Sequence, residues 1–202
     1  KYFNMAQEIC MQDKVEHMMQ FVSVDAWGKR AEYIRNGLDF NYMMDNVEEF
    51  LERIPGRNSI TFICTYNNLS ITSIEKLLEK VLELRAKYST TYQRIWFDVP
   101  LLRQPAWQQI TLLPESYQMI HEENIEYMQK HSGNDNGYSK FNDFEIQKMQ
   151  RNLAYWRENA DASMQNKKNF YAFFNEHDRR RTTRFLNTFP EMEEFWEECK
   201  NA

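Results

Sequence analysis

Phe21-Val22-Ser23-Val24-Asp25-Ala26-Trp27-Gly28, followed by Arg30-Ala31-Glu32-Tyr33-Ile34-Arg35-Asn36-Gly37, decides the fold. The first residues alternate aromatic or β-branched side chains with smaller ones, the pattern of a strand. The strand then breaks off in a hydroxyl, a carboxylate and a glycine. A loop with two arginines follows and leads into a helix. In parallel α/β proteins ligands sit at the carboxyl ends of strands. The stretch therefore marks both a strand end and a candidate site.

Working outward, a weak helix over Tyr2 to Met11 precedes a strand over Met18 to Asp25. Phe40, Met43, Met44, Val47, Phe50, Leu51 and Ile54 then recur at helical spacing, and Pro55-Gly56 punctuates the end. Ser59 to Tyr66 reads as a second strand. Thr72 and Glu75 have capping-box spacing, and Ile74, Leu77, Leu78, Val81 and Leu82 continue as an apolar stripe. Tyr92 to Val99 reads as a third strand, ended by Pro100. Strands separated by helices run parallel with right-handed crossovers. Their interval of roughly 35–40 residues suits a barrel or a doubly wound sheet.

Beyond residue 105 the pattern turns helical. Trp107 to Leu113 is expected to form one short strand, Tyr117 to Lys130 a helix and Ser132 to Gly137 a loop. Helices over Asp143–Asn159, Met164–His177 and Pro190–Cys199 follow, with Pro190 suited to a first helical position. The expected organisation is an α/β part over residues 1–104 and a mostly helical extension over 105–202. Three parallel strands alone leave two outer edges open. The extension is expected to cover one edge, and the other reads as the place of missing upstream strands.

Composition narrows the function classes. Hydrophobic residues make up 42% of the 202 positions and aromatics 15%, enough for a sizeable core; five glycines and five prolines argue against a turn-rich all-β fold. No apolar run approaches the roughly 20 residues of a membrane helix, and the opening residues do not read as a signal peptide. A net charge of −5 gives no reason to expect a nucleic-acid partner. Arg179-Arg180-Arg181 with Arg184 reads as a solvated helix face, with anion binding as the other reading. Cys10, Cys64 and Cys199 are odd in number and far apart, so neither a disulfide framework nor a self-contained metal motif is expected, and a reducing, cytoplasmic setting fits. His17, His121, His131 and His177 are scattered and neighbour no nucleophile signature.

Side-chain alternation puts Ser23 and Asp25 on one face of the first strand and Val22 and Val24 on the other, which suits helices. In the second strand Ile60, Phe62 and Cys64 fit the helix side; Thr61, Ile63 and Thr65 fit the inner side, with Asn67 just beyond. For the third strand either Trp96 and Asp98 or Ile95 and Phe97 face inward. A ring of Ser, Asp, Thr and Asn near an arginine suits a zwitterionic, ribose-bearing ligand, whose carboxylate Arg35 or Arg30 can hold in a two-pronged hydrogen bond. The plainer reading has Asp25 capping its loop, Arg35 paired with Asp39 or Glu32, and Gly37 supplying a positive φ.

These residues resemble a family. Phe21 to Gly28, with Arg30 to Gly37 and Phe40, resembles the fourth-strand region of radical S-adenosylmethionine (SAM) enzymes. Ile60 to Asn67 resembles their fifth strand and Arg94 to Leu101 their sixth. Arg103-Gln104-Pro105-Ala106-Trp107 and Phe189-Pro190-Glu191-Met192 are similar to the group with a short "twitch" extension. The resemblance implies half of a partial (β/α)6 TIM-like barrel, here three parallel strands with helices, followed by the helical extension. It implies SAM as cofactor, with Ser23 and Asp25 near its amino-acid or ribose part, Arg35 on its carboxylate, Thr65 and Asn67 lining the pocket, and backbone near Leu101 approaching the adenine. In that family a reduced [4Fe–4S] cluster cleaves SAM to a 5′-deoxyadenosyl radical. The C-x-x-x-C-x-x-C segment that holds the cluster is not in this sequence. The chain is therefore expected to be the C-terminal portion of such an enzyme, inactive alone, with the N-terminal half of the barrel as its missing partner and a peptide, sugar or small metabolite as substrate. Two rivals stand beside it: a non-catalytic α/β binding module with a helical docking tail, and a different barrel enzyme using Asp25 as a general base.

Overall fold

The computed structural model describes residues 1–55, 57–133 and 138–202; Gly56 and positions 134–137 of the expected loop lie outside the described residues. The chain runs α1 (Tyr2–Met11), β1 (His17–Ser23), α2 (Lys29–Ile34), α3 (Phe40–Arg53), β2 (Arg57–Ile63), α4 (Ile74–Tyr88) and β3 (Ile95–Asp98). It continues through α5 (Gln118–Lys130), α6 (Asp143–Glu158), α7 (Met164–Arg181), α8 (Phe185–Thr188) and α9 (Glu193–Asn201). Among the described residues the sheet has three strands in the order β1-β2-β3, all parallel. No helix of the described residues is long and apolar enough to cross a membrane.

Local chemistry sets the elements. Asp39 caps α3 by accepting from the Tyr42 amide at 2.9 Å. The expected stripe along α3 is buried at Phe40, Met44, Val47, Phe50 and Leu51. Along α4, Ile74, Leu77, Leu78, Val81 and Leu84 are buried in the same way. These helices cover one face of the sheet, where Ile60, Phe62 and Cys64 of the β2 segment and Ile95 of β3 are fully buried. Each large apolar side chain so covered contributes about 1.5–3 kcal/mol.

The opposite face is open. Phe21 is 56% exposed, Met19 43% and Trp96 40%. Ile95 and Phe97 point into the helix layer, so Trp96 and Asp98 take the open face, the choice that alternation alone left undecided.

Several expectations are corrected. Trp107 to Leu113 is not a strand: two short 3-10 turns, Ala106–Gln108 and Ile110–Leu112, occupy it. No strand pairs there, because the β3 edge it would join is taken by side chains from α4 and α6. The third strand is shorter than Tyr92–Val99, and the first ends at Ser23. Thr72 does not cap α4; the cap position is Ser73, and the Thr72 hydroxyl is buried without a partner. Helix α7 runs on to Arg181, its end turned by Thr182 in the left-handed region.

The expected boundary near residue 104 falls in the loop after β3, yet the two parts share one core. Phe170, Phe174, Phe185 and Phe195 of the tail are buried against one another. Tyr33 of α2 joins them and donates to Asp178 at 2.8 Å. These four aromatics of the tail are thus interior, while Phe144 and Phe173 stay exposed.

The strongest seam is a buried ion pair. Arg85 and Glu145 are essentially unexposed and meet through two hydrogen bonds, 2.5 and 3.1 Å. Arg85 also donates to the carbonyls of Ile95 (3.0 Å) and Lys140 (2.7 Å). Glu145 in turn closes a capping box with Asn142 at the start of α6.

Candidate functional site at the strand ends

The ladder between β1 and β2 runs one residue past the strand: the Val24 amide donates to the Ile63 carbonyl at 3.0 Å. Asp25 therefore leaves the sheet at a fixed point. Gly28 then takes a φ of +59° and Gly37 one of +85°, values that a side chain would strain. Between these two turns lies α2, which delivers Arg35 back over the end of β1.

Arg35 meets Asp25 there, its Nε donating to Oδ2 at 2.7 Å. The other carboxylate oxygen, Oδ1, accepts from the Thr65 amide at 3.2 Å. The Asp25 carbonyl accepts from the Cys64 thiol at 3.6 Å, and burial, with the nearby Asp25 charge, pushes that thiol's pKa up. Asp25 is nearly buried while Arg35 is 38% exposed. The terminal nitrogens of Arg35 have no hydrogen-bond partner among the described residues, on a guanidinium already held through its Nε. A planar fork held in that way is suited to a carboxylate.

Ser23 and Thr65 belong to the same strand ends. Ser23 pairs in register with Ile63, is exposed, and its hydroxyl is free among the described residues. Asp25, Arg35 and Thr65 are thus brought together, with Ser23 two residues before Asp25 at the end of β1. Asn67 is not available in the same sense: its amide donates to Thr65 O at 2.8 Å and accepts from the Leu69 amide at 2.9 Å, closing its own loop. Leu101 is half-buried and forms an isolated parallel bridge with Tyr66, next to the Leu102 amide bond to Tyr66 O at 2.9 Å. The partners proposed for Arg35 by the plainer reading are engaged elsewhere: Asp39 caps α3, and Glu32 binds Lys29 and the Phe40 amide. Arg30 is spent on Thr72 O, Thr188 O and Glu191.

Sequence reasoning missed two features. Lys148 of α6 reaches the open face and pairs with Asp98, its ammonium 4.4 Å from the Phe144 ring. Nothing local to Asp98 foretells a cation fifty residues away. The second is a groove of about 780 Å³ beside β1, lined by Ser23, Gly37, Tyr42, Met43 and Phe50 among others.

The histidines are structural where they are buried. His121 donates through Nε2 to the Met149 carbonyl at 2.9 Å, so its Nδ1 accepts from the Tyr66 hydroxyl at 2.6 Å; burial lowers its pKa. His177 bonds Tyr33 O at 3.0 Å, and burial lowers its pKa too. In the arginine run, Arg179 and Arg180 both bind Glu176. Among the described residues no group of three His, Cys, Asp or Glu side chains is placed to hold a metal ion. Comparison of the chain with protein-family models, with curated proteins and with solved structures finds no match.

Proposed function

We propose that this chain forms half of a partial (β/α)6 barrel of the radical SAM type and supplies part of a SAM pocket. The observation that carries the reading is the guanidinium of Arg35, braced by Asp25 at the end of β1 with its terminal nitrogens open. Beside it stand the free hydroxyls of Ser23 and Thr65. In this reading Arg35 holds the ligand carboxylate, Ser23 hydrogen-bonds the amino-acid or ribose part, and Asp25 acts as a positioning residue for Arg35. Asp25 and Asn67 are then second to Arg35 in contact with the ligand, because their polar atoms are already engaged.

SAM bound there would supply a sulfonium whose cleavage yields a carbon radical. The residues of this chain do not fit the cluster that such cleavage needs: the three cysteines are Cys10 on α1, Cys64 after β2 and Cys199 on α9, the last two buried. The cluster would have to be held by another polypeptide segment, and the open sheet face is where a barrel interior would form. A lumen-facing set of Met19, Phe21, Ile63 and Trp96 is apolar enough to exclude water from a reactive intermediate.

The test is calorimetric titration of SAM into the complete protein and its variants. Arg35→Ala is expected to weaken binding at least about tenfold and Asp25→Asn severalfold, since a charge-assisted pair is lost or loosened. Unchanged affinity in both Arg35→Ala and Ser23→Ala overturns the assignment.

A further inference from the structure

The two edges of the sheet are finished differently. In a parallel ladder the amide and carbonyl of one residue point to the same side, alternating along the strand. The Ile60 amide bonds Arg94 O and the Cys64 amide bonds Asp98 O, so the odd-numbered residues of β3 face outward. Ile95 O is occupied by Arg85 and by Gln93, and Val99 O, just past the strand, by Asn152; Phe97 between them has no backbone partner on that side among the described residues. On β1 the Val24 amide faces β2, so Met19, Phe21 and Ser23 turn their backbones to the free edge. One cover is found there. The Gln20 side chain donates to Phe21 O at 2.8 Å, and the Tyr2 hydroxyl of α1 donates to Gln20 Oε1 at 2.6 Å.

Edges left to solvent are usually shielded by charge, proline or a bulge. The strand His17-Met18-Met19-Gln20-Phe21-Val22-Ser23 carries no proline, glycine, lysine, arginine or carboxylate. Its flank is a groove of about 780 Å³, with Tyr2 and Phe3 of α1 on one side and Met43, Val47 and Phe50 of α3 on the other.

We infer that β1 accepts an added parallel strand from a partner polypeptide, and that the Tyr2–Gln20 clamp is what it displaces. An extended backbone is the occupant because only it offers amides and carbonyls at the spacing of Met19, Phe21 and Ser23. The strand runs parallel because every pair in the sheet does, and all-parallel sheets are favoured over mixed ones. Its alternate side chains are apolar, since those on the helix side enter the groove floored by Met43, Val47 and Phe50. This names the element through which the other half of the barrel would join, and for the owner of that strand it rests on the half-barrel reading.

The experiment titrates a blocked heptapeptide of alternating threonine and valine, spin-labelled at its carboxyl end, into the isotope-labelled chain. Binding is expected to slow amide exchange at Met19, Phe21 and Ser23, and to broaden Ser23 rather than His17. Phe21→Pro removes an outward amide that no internal bond uses, and is expected to weaken binding about tenfold or more. Gln20→Ala removes the clamp and is expected to tighten binding severalfold. Broadening at His17 overturns the parallel orientation. No peptide protection in either the native chain or Gln20→Ala overturns the edge site. Neither result touches SAM affinity at Arg35, and loss of SAM binding with the peptide still bound would overturn the cofactor reading alone.

Discussion

The edge at β3 and the edge at β1 are built from the same backbone but answer to different neighbours. At β3, a guanidinium from α4 takes the first outward carbonyl and a carboxamide from α6 the one just past the strand, and the guanidinium is itself locked to a buried glutamate. At β1, one half-buried glutamine bends back onto its own strand. A buried polar group must be paired, whereas an exposed one can turn to water. The closed edge is thus part of the folded core, and the open edge is a surface held in waiting. The same division separates the faces of the sheet: Phe62 is fully buried and Phe21 mostly exposed, one strand apart.

The sharpest way to break this contrast is at Arg85. Arg85→Met removes one member of a fully buried pair and leaves the Glu145 charge without its guanidinium, and Ile95 O with Gln93 alone. The expected cost is about 3–5 kcal/mol, read from urea unfolding. The double variant Arg85→Met with Glu145→Leu removes the stranded charge, so most of that loss should return; the lost Arg85 hydrogen bond to Ile95 O and the lost capping box keep it below the native chain. A loss under about 1 kcal/mol for Arg85→Met would mean that the edge is not closed by this pair.

Asn152 gives a smaller version of the same test. Its amide donates to Val99 O at 3.0 Å from a nearly buried position. Asn152→Ala leaves that carbonyl unpaired and is expected to cost about 1–3 kcal/mol. The carbonyl lies just past β3, so amide exchange should quicken there first.

Acid should weaken the packing of the helical tail on the α/β part, where His121 meets Tyr66 and His177 meets Tyr33. His121 is buried as the neutral form between Met149 O and the Tyr66 hydroxyl, with its pKa lowered by desolvation. Its folded pKa lies below the ordinary 6.5, so the unfolded chain binds the extra proton first. The stability it supports is full above about pH 6.5 and falls as pH drops through the folded value, by at most about 1.4 kcal/mol per pH unit for one proton. His177 shifts in the same direction. Urea midpoints at pH 7.5 and 5.5 should converge in the double variant His121→Gln, His177→Gln; an unchanged slope would sink the assignment.

Much of this organisation was legible from the chain. The stripes of α3 and α4, the alternation of Ile60, Phe62 and Cys64, and the parallel order all follow from periodicity, because burial repeats at fixed intervals. Trp107–Leu113 was misread for a physical reason. A short apolar run reads as a strand, but side chains of α4 and α6 reach carbonyls at the β3 edge that it would have joined. The meeting of Asp25 with Thr65 was legible in outline, since both lie just past strand ends, and Arg35 returns to them from the end of α2. That Asp25 would spend both oxygens, on Arg35 and the Thr65 amide, was not, because a backbone donor from the next strand leaves no trace in residue type. The clamp of Tyr2 on Gln20 was equally hidden, as it depends on where α1 lies beside the edge.

The smallest expected effect is the one that defines the open edge. Gln20→Ala removes the hydrogen bond to Phe21 O and frees the Tyr2 hydroxyl, yet both groups can then bind water. The change in stability is expected to stay within about 0.5 kcal/mol. Amide exchange supplies the finer readout: Met19, Phe21 and Ser23 should exchange quickly in native chain and variant alike, while Gln20, Val22 and Val24, turned toward β2, stay protected. A cost of 1.5 kcal/mol or more, or protection spread evenly along β1, would show that Gln20 closes its edge as Arg85 and Asn152 close theirs. The sheet would then have no free edge to extend. A near-zero cost leaves β1 as the edge whose outward backbone, apart from Phe21 O, gains partners from outside.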